Sequence, residues 1–156
     1  MKIKFFTVVA FLCCCLFSGY GQNYSTGFGL RAGLPYGVTG KHFITEVASL
    51  EGILSTRWGG FRFTGLYAYH TPTKQVVNLN WYFGVGAHLA LWDERSPWFD
   101  KPDNYFVFGI DGIMGMEYTF DEIPLVVGLD WIPFFNLAGH TGIGDFQVGI
   151  SARYIF

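Results

Sequence analysis

Phe146-Gln147-Val148-Gly149-Ile150-Ser151-Ala152-Arg153-Tyr154-Ile155-Phe156 alternates almost without fault between two kinds of side chain. Phe146, Val148, Ile150, Ala152, Tyr154 and Phe156 share one parity. Asp145, Gln147, Gly149, Ser151 and Arg153 share the other, and Ile155 is the single exception. A strand sends successive side chains to opposite faces. This segment is therefore a strand with one apolar face, ending on aromatic residues, and one polar face.

The same period runs upstream. Reading for alternation divides the chain after its N-terminal stretch into eight segments: 26–34, 36–45, 47–58, 61–71, 76–91, 105–120, 125–135 and 145–156. The fifth is the clearest of these. Val77, Leu79, Trp81, Phe83, Val85, Ala87, Leu89 and Leu91 form its apolar face, and Asn78, Asn80, Tyr82, Gly84, Gly86, His88 and Ala90 its other face. In the sixth, Phe106, Phe108, Ile110, Met114, Met116, Tyr118 and Phe120 alternate with Gly109, Asp111, Gly115, Glu117 and Thr119. The first two are weaker, because Gly40 and His42 fall on the apolar parity. Residues 121–124 make a tight turn, while 93–104 and 136–144 are the longest connections and fall at the end opposite the C-terminus.

Residues 1–21 read as a secretion signal. Lys2 and Lys4 form its basic start, residues 5–17 an apolar stretch broken by Thr7, and Ser18-Gly19-Tyr20-Gly21 supplies small residues for cleavage. A cut after Gly21 leaves 156 − 21 = 135 residues, the single domain 22–156. Cys13, Cys14 and Cys15 all lie in the removed segment, and none sits in a good lipobox. The mature chain is thus expected to lack disulfides, thiolate metal sites and a cysteine nucleophile. Losing Lys2 and Lys4 leaves 10 − 2 = 8 basic against 12 acidic residues, a net of −4, which argues against nucleic acid as a partner.

Few charges (14%), abundant aromatics (20%) and 21 glycines suit a barrel that is apolar outside and tightly packed inside. Eight strands in 135 residues match the smallest transmembrane barrel, whose strands need about 9–11 residues to cross a bilayer. The rival is a soluble eight-stranded barrel, apolar inside and polar outside. The polar face argues against it, since it mixes acids, bases, amides and glycines. Lys, which a solvated face would favour, follows the signal only at positions 41, 74 and 101.

With the polar face inward, the lumen receives Arg31, Lys41, Glu51, Arg57, Arg62, His70, His88, Asp111, Glu117, Asp130, Gln147 and Arg153. An eight-stranded lumen is only wide enough for side chains to fill it, so these charges must pair. Arg31, Glu51, Asp111, Glu117, Asp130 and Arg153 are the expected interior polar cluster, with Arg153 neutralising both Glu117 and Asp130. Glycines 84, 86, 109, 115, 128 and 149 would make room for the long arginines. Outward aromatics near strand ends, namely Trp58, Phe61, Tyr67, Tyr69, Phe120, Tyr154 and Phe156, fit interfacial girdles.

Chemical motifs are weak. Ser96, His140, His88, Asp93 and Glu94 supply the residue types of an acyl hydrolase in or near the outer loops, without a spacing that enforces contact. Phe83-Gly84-Val85-Gly86 continues as strand with no helix after it, so it is not a dinucleotide loop. The histidines at 42, 70, 88 and 140 lie on different segments, so no metal and no cofactor is expected. Trp98 and Phe99, in the loop 93–104, are expected to pack on the membrane surface.

The stretches 27–33, 50–54, 78–86 and 109–118, together with the terminal strand, resemble small outer-membrane β-barrel proteins of Gram-negative bacteria, similar in plan to the OmpA-type transmembrane domain. The resemblance implies an all-β fold: an eight-stranded antiparallel up-and-down transmembrane β-barrel in the cell outer membrane, preceded by a cleaved signal peptide. It implies contact with outer-membrane lipid and lipopolysaccharide, and handling by periplasmic chaperones and the barrel-assembly machinery, for which Tyr154 and Phe156 would form the C-terminal signal. It also implies a monomer. It transfers no catalytic residue, and the chain is expected to stop at the barrel with no periplasmic domain after it. The first functional expectation is a structural or surface-interaction barrel without chemistry. The alternatives are a lipid A acyl hydrolase or acyltransferase, and a narrow channel for small hydrophobic molecules.

Overall fold

The computed structural model describes residues 24–57, 60–92, 105–138, 142–144 and 147–156. The expected signal 1–21, Trp58, the loop 93–104, His140, Asp145 and Phe146 lie outside them. The strands are β1 (Thr26–Gly33), β2 (Tyr36–Phe43), β3 (Ala48–Arg57), β4 (Gly60–Pro72), β5 (Leu79–Trp92), β6 (Tyr105–Thr119), β7 (Leu125–Ile132), β8 (Phe134–Ala138), β9 (Gly142–Ile143) and β10 (Gln147–Ile155). Each strand from β1 to β6 pairs antiparallel with the next, and β10 joins β7 to β1. The ring closes, so no row of backbone donors and acceptors is left at an edge.

β8 and β9 are not extra staves. The β6 ladder passes from Met114↔Trp131 to Asp111↔Phe134 in unchanged register, since 114 + 131 and 111 + 134 both equal 245. Pro133 stands between, with no N–H to donate, while its carbonyl still accepts from Gly112 N at 2.8 Å. β7 and β8 are one long stave, and β9 pairs with β8 as β10 pairs with β7, so β9 and β10 share the next stave position. Ten strands therefore make the eight staves that the alternation predicts.

The stagger follows from the pairs. From Arg31 a row runs one way through Gly37, Ser55 and Arg62 to Ala90. The other way it runs through Ser151, Gly128 and Glu117 to Asn80. The two ends meet on β5 with 90 − 80 = 10 residues between them. Such an offset in an eight-stranded barrel tilts the strands by roughly 35–45°.

Burial settles which face is inside. Val85 is 68% and Ile150 56% exposed, whereas Asp111 is 4% and Arg153 0% exposed. The outer wall is a continuous apolar surface, including Phe28, Leu30, Phe63, Phe83, Leu91 and Val148. A wall of that extent is unsustainable in water, which excludes the soluble inside-out rival.

Two stretches depart from the expectations. Residues 76–78 belong to the turn before β5 rather than to a strand, because Asn78 takes the left-handed conformation (φ 66°) that bends the chain into Leu79. The supposed loop 136–144 contains the end of β8 and all of β9, which continue the hairpin by backbone pairing although the sequence there is too irregular to alternate cleanly. The turns 44–47, 73–78 and 120–124 share one end of the barrel with both described termini, and the longest connection, 93–104, joins strands at the other. Short turns mark the periplasmic end of such barrels and long loops the outer one.

In vesicles, with Cys13, Cys14 and Cys15 replaced, the near-isosteric Ser151→Cys should resist a water-soluble maleimide until the barrel is unfolded. Rapid labelling of S151C in an intact barrel would show the faces reversed.

Candidate functional site in the barrel lumen

Four charged side chains meet near the turn end of the lumen. Lys41 and Glu51 are paired across β2 and β3 on the inward parity, with Nζ 3.3 Å from Oε2. Lys41 also reaches across the barrel to Glu117 of β6, Nζ to Oε2 2.9 Å. Arg153 of β10 places Nη2 2.5 Å from Glu51 Oε1 and Nη1 3.7 Å from Glu117 Oε2. All four side chains are wholly buried. The Thr39 hydroxyl donates to Glu51 Oε1 at 2.6 Å and accepts from Arg153 Nε at 3.3 Å. The Tyr24 hydroxyl donates to Glu117 Oε1 at 3.1 Å from just before β1. Burial, then the charge of Glu117, pushes that phenol well above its usual range, so it keeps the proton it donates. His70 sits against the same carboxylate, Nδ1 3.3 Å from Glu117 Oε1, with Nε2 2.9 Å from Ser49 Oγ.

Half-way up, Arg31 Nη1 lies 2.6 Å from Asp130, whose Oδ2 accepts from the Tyr82 hydroxyl at 3.2 Å. This corrects the expected partner. Arg153 lies two residues closer to the turn end than Ser151, which pairs Arg31 directly across the β1–β10 ladder. Arg153 is taken up by Glu51 and Glu117, and Arg31 takes Asp130. Beside this pair Ile53, Leu66, Ala68, Ile113 and Ile132 form an apolar cluster with the Tyr82 ring, so the lumen is not polar throughout.

Toward the loop end, Arg62 Nη2 lies 2.5 Å from Asp111 Oδ1, and His88 Nδ1 lies 2.9 Å from Asp111 Oδ2. His88 Nε2 is 3.0 Å from Asn136 Oδ1. The Arg62 guanidinium sits 4.1 Å from the centroid of the Phe134 ring, a cation–π contact strengthened by exclusion of water.

The structure buries Arg31, Glu51, Asp111, Glu117, Asp130 and Arg153 together with Lys41, Arg62, His70, His88 and Gln147, and distributes them over these levels rather than in one cluster. Arg57's side chain lies outside the described residues. The expected role of the inward glycines divides. A Cβ at Gly149 would overlap the Arg31 guanidinium, and one at Gly128 would lie 3.4 Å from Arg153 Nη1. At Gly109 and Gly115 the space belongs to His88 and Tyr82, and at Gly84 and Gly86 to the backbone of β4. Thr39, Ser49 and Tyr24 escaped the sequence reading. The first two share the inward parity of their strands, a usable signal; Tyr24 precedes the alternation and has none.

Of the acyl-hydrolase candidates, Ser96, His140, Asp93 and Glu94 lie outside the described residues. His88 has both ring nitrogens engaged, by Asp111 and Asn136. Among the described residues no three His, Cys, Asp or Glu side chains group as a metal site.

A search of solved structures finds the N-terminal β-barrel domain of Pseudomonas aeruginosa OprF, similar with a TM-score of 0.66 and 19% identity over 88% of this chain and 100% of that one. This chain has the OmpA-type outer-membrane barrel fold. No family model matches it, and no curated protein matches its sequence. In this OmpA-type barrel the charged side chains occupy the volume that a pore would need.

Removing one partner of a buried ion pair strands the other and typically costs about 3–5 kcal/mol. Arg153→Ala should therefore lower unfolding stability by roughly that amount in a urea titration of detergent-folded protein. In double-mutant cycles Asp130 should couple more strongly to Arg31, its contact partner, than to Arg153. The reverse coupling would contradict the pairing described.

Proposed function

We propose that the protein is an integral outer-membrane barrel with a structural or surface-interaction role and no chemistry of its own. It sits as a monomer in outer-membrane lipid and lipopolysaccharide, after delivery by periplasmic chaperones and the barrel-assembly machinery with Tyr154 and Phe156 as the recognition signal. One observation carries the reading: Lys41, Glu51, Glu117 and Arg153, from four staves spaced around the ring, meet across the lumen with no exposed side-chain surface. An ion passing that level must break contacts between desolvated charges, each costing several kcal/mol. An apolar solute must displace those charges too, which disfavours a channel for hydrophobic molecules. The engagement of His88 by Asp111 and Asn136 likewise disfavours its use as a catalytic base.

Reconstituted into planar bilayers, the protein should give no stable conductance; discrete, reproducible openings would sink the occluded-barrel reading. Lipid A from cells with and without the gene should carry the same acyl chains by mass spectrometry. A changed acyl pattern would establish the enzyme alternative instead.

A further inference from the structure

The outer wall is not uniformly smooth. Between β4 and β7 it holds a groove of about 460 Å³ whose lining is almost wholly apolar. Two neighbouring rows of outward residues make it. Tyr69, Phe83, Met114 and Trp131 are successive ladder partners in one row. In the other, Tyr67 pairs with Val85 and Val85 with Gly112, which donates to the Pro133 carbonyl. The notch arises at Gly112, which offers no side chain where its neighbours Val85, Ile110, Met114 and Pro133 carry bulky ones. A Cβ there would stand 3.3 Å from the Pro133 ring.

The tilt of the rows sets the groove's course. Tyr69 is 72 − 69 = 3 residues from the turn end of β4, whereas Gly112 is 119 − 112 = 7 residues from the turn end of β6, at the middle of that strand. The groove therefore climbs from the interface at the turn end to about half the depth of the wall. Tyr67 and Tyr69 at its foot are amphipathic, and such rings prefer the boundary between hydrocarbon and headgroups. The turn 73–78 that joins β4 to β5 carries exposed Lys74, and the turn 120–124 that joins β6 to β7 carries exposed Asp121 and Glu122. Lys74 follows the foot of the groove directly along the chain, and Asp121 and Glu122 stand at the same end of the barrel two staves away, so both charge signs lie at the level a zwitterionic headgroup would occupy.

Resting on the outer-membrane reading, we propose that this groove holds one acyl chain of a zwitterionic glycerophospholipid from the periplasmic leaflet, as a retained lipid distinct from the exchanging annulus. On the outer-membrane reading the wall's neighbour is lipid hydrocarbon, and the groove is continuous with that wall. A chain lying in it is contacted on several sides instead of one, and dispersion contacts add with each neighbouring atom.

Native mass spectrometry tests this on the full barrel, released into mild detergent from vesicles of phosphatidylethanolamine, phosphatidylglycerol and lipopolysaccharide. Wild type should retain a single phosphatidylethanolamine. Gly112→Leu, which fills the notch, should lose it, as should Val85→Trp, which fills the groove from β5. Leu30→Phe, on the outward face of β1 away from the groove, should keep it. Retention unaffected by both filling variants, no retained lipid in wild type, or retained phosphatidylglycerol or lipopolysaccharide in its place would each overturn the proposal. Heat-modifiable gel mobility separates the two levels of failure: a folded barrel that retains no lipid defeats the groove alone. A soluble, heat-insensitive protein defeats the membrane reading beneath it.

Discussion

A charge enclosed by a closed sheet has no water to turn to, and needs an opposite charge in contact. That constraint governs this molecule. Lipid hydrocarbon outside forces every backbone group to be paired within the sheet, which an eight-stave ring accomplishes without an edge. The ring then has two faces only, and with the apolar parity outward, the buried charged side chains of the strands fall within a narrow lumen. Arg153, bonded to Glu51 and facing Glu117, is the outcome of that geometry rather than an ornament on it.

The same constraint explains the small residues of the interior. A guanidinium needs length to reach a carboxylate on another stave, and a crowded lumen has room for that length only where a neighbour lacks a side chain. Gly149 beside Arg31 meets this need, whereas at Gly128 the nearest atom is the Ser151 hydroxyl. Elsewhere the barrel is filled by ordinary packing, with Ile53, Leu66, Ile113 and Ile132 around the Tyr82 ring. Polar and apolar interiors thus coexist at one level, which a strict two-face picture does not anticipate.

Alternation made the staves legible because its period is a property of the backbone itself. The eight segments could be read along the chain, most clearly in β5, β6 and the terminal strand, as could the side of the wall on which Val85 and Asp111 would fall. Ion partners were less legible. Which base neutralises Asp130 depends on stagger, and a two-residue difference in register moves it from Arg153 to Arg31. No local pattern encodes that offset; it emerges only when the ring closes. Pro133 interrupts the seventh stave by one missing donor without interrupting its register, and the segment reads through it to 135; only the extension to Ala138, where alternation fades, goes unread. Tyr24 was invisible because it enters the lumen from outside any strand.

The arithmetic of the lumen has an electrical consequence. Lys41 and Arg153 balance Glu51 and Glu117 near the turns, Arg31 balances Asp130 half-way, and Arg62 balances Asp111 toward the loops. Leaving the histidines aside, each of these levels is neutral by itself, so among the described residues positive and negative charge are not segregated along the barrel axis. A transmembrane voltage acting on such an interior finds little net gating charge to move, and the barrel should be as indifferent to membrane potential as the wall around it.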